Sequence, residues 1–213
     1  MSASTEADDD AAEASAPAGR VGPNAIIRMV EALEELEGAE ACARIFAAAG
    51  LSAYLSAPPA DMVDEHEVAA LYRATWLDLP PDRAASVARD AGRRTGDYLL
   101  ANRIPRLAQR VLAFMPRRMA LRILLGAIGR HAWTFAGSGA FSYEFSAQPL
   151  IRIERSPLCL NLRMSEPVCD YFAATFERIF REILAPRCSV REIECAAAGD
   201  AACVFSVALD GAA

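Results

Sequence analysis

The chain has 213 residues, of which 54% are hydrophobic and 23% charged, a globular composition with enough apolar surface for one good-sized core. Its formal net charge of −6 argues against a general nucleic-acid binder. No run of 18 or more uncharged apolar residues occurs and the N-terminus lacks a basic start followed by an apolar stretch. Neither a transmembrane helix nor a signal peptide is therefore expected, and the expected location is the cytoplasm. In that reducing compartment six cysteines read as thiols or metal ligands before disulfides.

Residues 1–20 are mostly Ala, Ser, Asp and Glu, and the acids Glu6, Asp8, Asp9, Asp10 and Glu13 sit among small residues. Such a segment buries too little surface to offset its ordering entropy, so a disordered acidic tail is expected, followed by a single domain over 21–210. From Pro23 the pattern is helical, with Ile26, Ile27, Val30, Leu33 and Leu36 at helical spacing up to Gly38. A second helix runs through Ile45 and Phe46 to about Gly50. A third covers 64–78, with Val68, Leu71, Tyr72 and Leu77 as its buried candidates. Pro80 and Pro81 start the next, which reaches about Ile104, and two more helical pieces follow, divided at Pro116.

Residues 132–155 change texture. Trp133, Thr134, Phe135, Phe141, Tyr143, Phe145, Ile151 and Ile153 are punctuated by Gly137, Gly139 and Pro149, which predicts two or three antiparallel strands joined by tight turns. Helix returns over 167–184, with Phe172, Phe176, Ile179, Phe180 and Ile183 on one side. Two last strands, about 188–196 and 201–208, flank the turn signal Ala198-Gly199-Asp200. Helices first, then sheet and helix mixed without βαβ alternation, predict an α+β fold: N-terminal helices, then an antiparallel sheet with packed helices.

Cys195 and Cys203 face each other across that last turn, Glu192 lies three residues before Cys195, and Cys169 opens the preceding helix. Three thiolates and one carboxylate suit a closed, structural zinc shell that pins a hairpin to a helix. Buried cysteines packing as small hydrophobes are the competing reading, because no CxxC pair is present. Strand parity adds a condition: residues 192 and 195 point to opposite faces of an ideal strand, so the zinc reading requires a bulge or a strand end. Cys42, Cys159 and Cys188 are expected to be dispensable for metal.

The segments Glu166-Pro-Val-Cys169-Asp170-Tyr171, Arg191-Glu192-Ile-Glu194-Cys195, Ala198-Gly199-Asp200 and Cys203-Val-Phe205 resemble the 4-vinyl reductase domain family, which includes ligand-sensing domains of aromatic-responsive transcription activators. The stretch Asp90-Ala-Gly92-Arg-Arg-Thr-Gly96-Asp97-Tyr98 resembles that family's glycine-bearing helix, and the likeness covers about residues 85–208. It implies zinc on Cys169, Glu192, Cys195 and Cys203, a homodimer by analogy with the sensors, and a place in bacteriochlorophyll biosynthesis at the Mg-porphyrin or divinyl-protochlorophyllide stages. No ATPase or DNA-binding segment of the sensors is read in these residues, so a transcription activator is not expected.

Between Tyr98 and Tyr143 there is no acidic residue, and seven arginines (Arg103, Arg106, Arg110, Arg117, Arg118, Arg122 and Arg130) interleave with apolar residues. This basic amphipathic region suits a tetrapyrrole propionate, an anionic membrane surface (the photosynthetic membrane, on the family's implication), an acidic partner, or simply a solvated face. His131 is a candidate axial ligand for a chlorin magnesium, or a histidine closing a helix. His66 reads as solvated. Trp133 and Phe135, with Arg117 and Arg118, complete the candidate ligand-binding residues, although most of the aromatics here read as core. Vinyl reduction needs a reductant site, yet no GxGxxG follows a strand and the cysteines suit one zinc better than an iron–sulfur cluster. The expected function is therefore a carrier or accessory factor that binds a Mg-tetrapyrrole, Mg-protoporphyrin ester or divinyl protochlorophyllide, and presents it to pathway enzymes. An 8-vinyl reductase and a small-molecule sensor or regulatory module are the alternatives.

Overall fold

The computed structural model describes residues 19–209. The acidic tail expected over 1–20 falls outside the described residues as far as residue 18. In chain order the elements are β1 (Arg20–Val21), α1 (Asn24–Leu36), α2 (Ala39–Ala48), α3 (Ala53–Ser56), β2 (Val63–Asp64), α4 (Glu65–Asp78), α5 (Pro81–Asn102), α6 (Arg106–Ala113), α7 (Arg117–Arg130), β3 (Ala140–Glu144), β4 (Leu150–Glu154), α8 (Asp170–Ile183), β5 (Ser189–Glu194) and β6 (Cys203–Ala208). The fold is α+β, with antiparallel pairing throughout the described strands.

Prolines set several helix starts. Pro81 occupies the first turn of α5, and Pro105 and Pro116 immediately precede α6 and α7. A proline there loses no helical hydrogen bond and already has helical φ. Gly38 (φ 87°) separates α1 from α2 in a backbone conformation that glycine adopts without steric cost.

Four strands form one sheet in the order β3-β4-β6-β5. The central strand β6 is buried along most of its length. Cys203 lies opposite Ile153, and Phe205 opposite Ile151. Because side chains alternate along a strand, Cys203, Phe205 and Val207 share one face. That face packs under α8, where Phe172 and Phe176 meet the Phe205 ring edge-on. On its other side α8 packs on α5, and α5 packs on α1, so the molecule is a sheet backed by successive helices.

The α5–α8 contact depends on two glycines. A Cβ on Gly92 would lie 2.3 Å from the Tyr171 carbonyl oxygen, and one on Gly96 would lie 2.8 Å from Arg178. This close approach lets Thr175 Oγ1 donate to the Gly92 carbonyl oxygen at 3.0 Å and brings the Thr95 and Tyr171 hydroxyls to 2.8 Å. At the N-terminus, the buried Glu65 carboxylate accepts from the backbone N–H of Gly19 (3.0 Å) and of Ser138 (2.7 Å), tying β1 and the loop after residue 137 to α4.

The sequence expectations differ from the structure at three places. Trp133 lies in a 3-10 turn over Ala132–Thr134, and Phe135 just after it, rather than on a strand. Their aromatic, strand-favouring composition fits a short turn against the core equally well. Leu77, expected in the core, is 73% exposed on the last turn of α4, while Trp76 beside it is buried. Residues 19–21, expected within or beside the tail, are held by pairing of β1 with β2.

Replacing Gly92 with alanine should drive a methyl group into the Tyr171 carbonyl. The expected loss is about 1–3 kcal/mol of unfolding free energy, read by urea denaturation, with Ala88→Gly on the same helix as a control for propensity alone.

Candidate metal centre and adjoining cleft

Four segments converge at the sheet end nearest the start of α8. The 3-10 turn Pro157–Cys159 follows β4 and supplies Cys159. Cys169 is the residue preceding α8, Cys195 follows β5, and Cys203 opens β6 on the face turned toward α8. The four sulfurs lie within 4.8 Å of one another and all four residues are buried. The closest pairs are Cys159–Cys169 (3.3 Å), Cys169–Cys203 (3.4 Å), Cys159–Cys203 (3.5 Å) and Cys159–Cys195 (3.8 Å). These distances are far above a disulfide bond of about 2.05 Å. They approach the roughly 3.8 Å edge of a sulfur tetrahedron around a metal with about 2.3 Å bonds, the dimension of a four-thiolate zinc site.

The backbone is arranged for this convergence. The pairing of β5 with β6 shifts register between Glu192 and Glu194. That irregularity meets the parity condition of the sequence analysis, since a bulge lets residues 192 and 195 turn toward the same centre. Beyond the strand, Asp200 accepts from the Cys195 N–H at 2.8 Å, while the Cys195 carbonyl accepts from the N–H groups of Ala198 (2.9 Å) and Asp200 (3.2 Å). Gly199 (φ 103°) closes the turn. Cys195 is therefore held from both sides before any metal is considered.

Glu192 stands against the same centre. Its Oε2 accepts from the Cys169 N–H at 2.7 Å, and its Oε1 is buried without a partner. Burial, and then the charge at Cys195, push the Glu192 carboxyl up to about 9. Hydrogen bonds from Cys159, Cys169 and Cys203 hold the Cys195 thiol far below the usual thiol range, whereas burial raises Cys169, and the contact with Cys159 raises Cys203. Negative charge thus gathers on one sulfur that three others face. This soft, anionic, dehydrated donor set with one orphaned carboxylate oxygen beside it can hold a metal ion. Cys159, which the sequence analysis left outside the donor set, sits within it. Cys42, on α2, and Cys188, in the turn leading into β5, do not.

An open cleft of about 1400 Å³ adjoins this centre. Glu192 and Val168 border both. Trp76, Met164, Pro167 and Ile193 supply apolar lining, and Arg89 and Arg191 are cationic groups on its wall, the former paired with Asp170 at 2.7 Å. Asp170 itself is shifted upward by burial, an effect opposed by Arg89.

None of His131, Trp133, Phe135, Arg117 or Arg118 lines this cleft. His131 closes α7 and is exposed, and Trp133 is 62% exposed. Phe135 is half-buried against Phe141, Phe172 and Phe176. Arg118 donates to the Ser146 and Ala147 carbonyls and lies over the Phe145 ring, and Arg117 is exposed at the start of α7. The structure does not gather the five into one cavity. The cleft residues come from segments as distant as Trp76 and Ile193, so no local motif could have flagged them.

With fold and centre in place, the class of protein is defined by its C-terminal part: the 4-vinyl reductase domain pattern matches residues 149–209, which hold Cys159, Cys169, Glu192, Cys195 and Cys203. Over nearly its whole length the chain is 43% identical across 192 residues to the bacteriochlorophyll synthase 23 kDa chain of Cereibacter sphaeroides, covering 89% of this chain and 91% of that protein. It is 36% identical across 187 residues to the protein of the same name from Rhodobacter capsulatus, covering 87% and 85%. The chain belongs to the family of the bacteriochlorophyll synthase 23 kDa chain.

All six cysteines are buried. A thiol reagent such as Ellman's should accordingly report almost no reaction with the reduced native protein over the minutes in which guanidinium-denatured protein reports all six. Rapid native reaction at two or more thiols would contradict the packing described.

Proposed function

We propose that this protein binds a Mg-tetrapyrrole intermediate of bacteriochlorophyll biosynthesis as a carrier or accessory factor, and that one structural zinc ion fastens its C-terminal hairpin to α8. The observation that carries the ligand reading is the cleft. Its volume exceeds the roughly 300–1,000 Å³ of drug-sized sites, as a tetrapyrrole macrocycle requires. Its apolar side chains suit the ring faces, while Arg89 and Arg191 suit propionate or ring carboxylates. The two relatives support the pathway through their printed name, bacteriochlorophyll synthase 23 kDa chain. Titration of pure protein with Mg-protoporphyrin monomethyl ester and with divinyl protochlorophyllide, followed by absorbance, should give a dissociation constant near micromolar, about −8 kcal/mol. Arg191→Ala should weaken binding about tenfold, while His131→Ala should leave it unchanged. The reverse pattern would move the ligand to the α7 end and the residues expected there from the sequence.

The family's association with vinyl reduction supports a second reading, an 8-vinyl reductase. A carrier needs a cleft and reversible binding; a reductase must also seat a hydride or electron donor beside the C8 vinyl group. Single-turnover conversion of divinyl protochlorophyllide by isolated protein with NADPH or reduced ferredoxin would establish the reductase. Binding with the vinyl group intact, together with faster turnover of a neighbouring pathway enzyme, would establish the carrier. Ligand-dependent binding to a regulator would instead favour the sensor alternative.

In the zinc reading Cys159, Cys169, Cys195 and Cys203 hold the ion, and Glu192 orients the Cys169 backbone from the side. The ion would supply cross-linking of four chain segments. Elemental analysis should find about one zinc per chain. Cys159→Ser and Cys203→Ser should each reduce that content and lower stability by ~3 kcal/mol or more, whereas Glu192→Gln should keep the zinc. Retention of zinc by Cys159→Ser with loss by Glu192→Gln would return the fourth ligand to the carboxylate implied by the family resemblance.

A further inference from the structure

All 28 acidic residues of this chain lie outside residues 99–143, and seven of its 22 basic residues lie inside that stretch. The fold turns this segregation into a surface. Helices α6 and α7 pack on one another as a hairpin bent at Phe114, Met115 and Pro116. Leu107, Val111 and Phe114 recur at i, i+4 and i+7, which places them on one face of α6. All three are exposed, Phe114 by 92%. Met119 and Ile123 form a matching exposed pair at i, i+4 on α7. Arg106 and Arg110, also four apart and exposed, run beside the first stripe.

An almost fully exposed phenylalanine at a helical bend, with aliphatic side chains on both adjoining helices, is a cost in water unless the patch has a partner. We propose that the α6–α7 hairpin docks the protein on an anionic lipid bilayer, with Phe114, Leu107 and Val111 entering the acyl boundary and Arg106 and Arg110 engaging lipid phosphates. The chemistry matches at both depths. Guanidinium groups take phosphate oxygens in pairs, and their methylene stems lie along apolar surface while the charge stays at the headgroups. A short amphipathic helix with such a face lies in the plane of the interface. A symmetric pairing of two copies through this face would set arginine stripes of like charge against each other, which disfavours a second copy as the occupant. The acidic remainder of the molecule would be repelled by the same bilayer, so the charge distribution also orients the protein with the hairpin down. None of these hairpin residues lines the cleft, which would stay open to ligand when the protein is docked.

The test is co-sedimentation of the full chain with vesicles of phosphatidylglycerol and phosphatidylcholine, against vesicles of phosphatidylcholine alone. Binding should require the anionic lipid and fall steeply as salt rises from roughly 0.05 to 0.5 M, in step with the Debye length. Phe114→Ser and the double variant Arg106→Gln with Arg110→Gln should each lower vesicle affinity about tenfold or more, with circular dichroism and thermal midpoint unchanged because the three residues are exposed. No binding to anionic vesicles, equal binding to neutral ones, or wild-type binding by both variants would overturn the proposal. So would light scattering that shows a wild-type dimer abolished by Phe114→Ser, which would assign this face to a second copy.

Discussion

Four sulfurs in mutual contact fasten together segments that no continuous hydrogen-bond ladder joins. Cys159 comes from a turn after β4, Cys169 from the entry to α8, Cys195 from the end of β5 and Cys203 from the start of β6. The sheet alone fixes Cys203 relative to β4, and the Asp200 bonds fix Cys195 relative to the turn, but α8 and the 3-10 turn meet the sheet here through sulfur. A group of buried thiols gathers like-sign charge as it ionises. Its stable forms are therefore few, and a soft divalent cation satisfies all four donors at once. The unpartnered Glu192 Oε1 at its margin marks the same electrostatic incompleteness.

Everything on the helical side depends on how closely α8 can be approached. The Gly92 and Gly96 positions bring α5 against it, the threonine and tyrosine hydroxyls fill the remaining polar valences, and α1 then packs on α5. The face of α8 toward the sheet is a run of aromatic rings, with Phe172, Phe176 and Phe180 stacked in sequence and Phe205 meeting the first two edge-on. A dry, interdigitated layer of this kind transmits little slack. The position of Cys169 at the head of α8 is thus set by the whole helix rather than by its own loop. The cleft, bordered by Val168 and Glu192, inherits that rigidity on one wall.

Much of this was legible in the chain before its fold was known, and for identifiable reasons. Prolines before α5, α6 and α7, glycine after α1, and apolar spacing of about 3.6 residues mark helices through local sterics, which tertiary contacts did not override. Three of the four clustered cysteines were marked by their places on the hairpin and at the helix start, and the bulge that their joint use demands is present between Glu192 and Glu194. Cys159 escaped because it sits on an irregular turn with no short-range CxxC partner; its proximity to Cys169 is a product of the sheet register. Trp133 and Phe135 misled because aromatic composition does not distinguish a strand from a short turn packed on a core. The cleft was invisible for the same reason as Cys159: its walls combine the end of α4, the start of α5, the loop before α8 and strand β5, which only the completed fold brings together.

The claim on which these relations turn is that the four thiols constitute one metal centre. X-ray absorption at the zinc edge of the purified protein tests it most directly, because the scattering shell reports donor type and distance without reference to stability or activity. The account requires a shell dominated by four sulfur neighbours at about 2.3 Å. A shell with an oxygen or nitrogen neighbour at about 2.0 Å in place of one sulfur, or protein that folds fully while containing no bound metal, would contradict it.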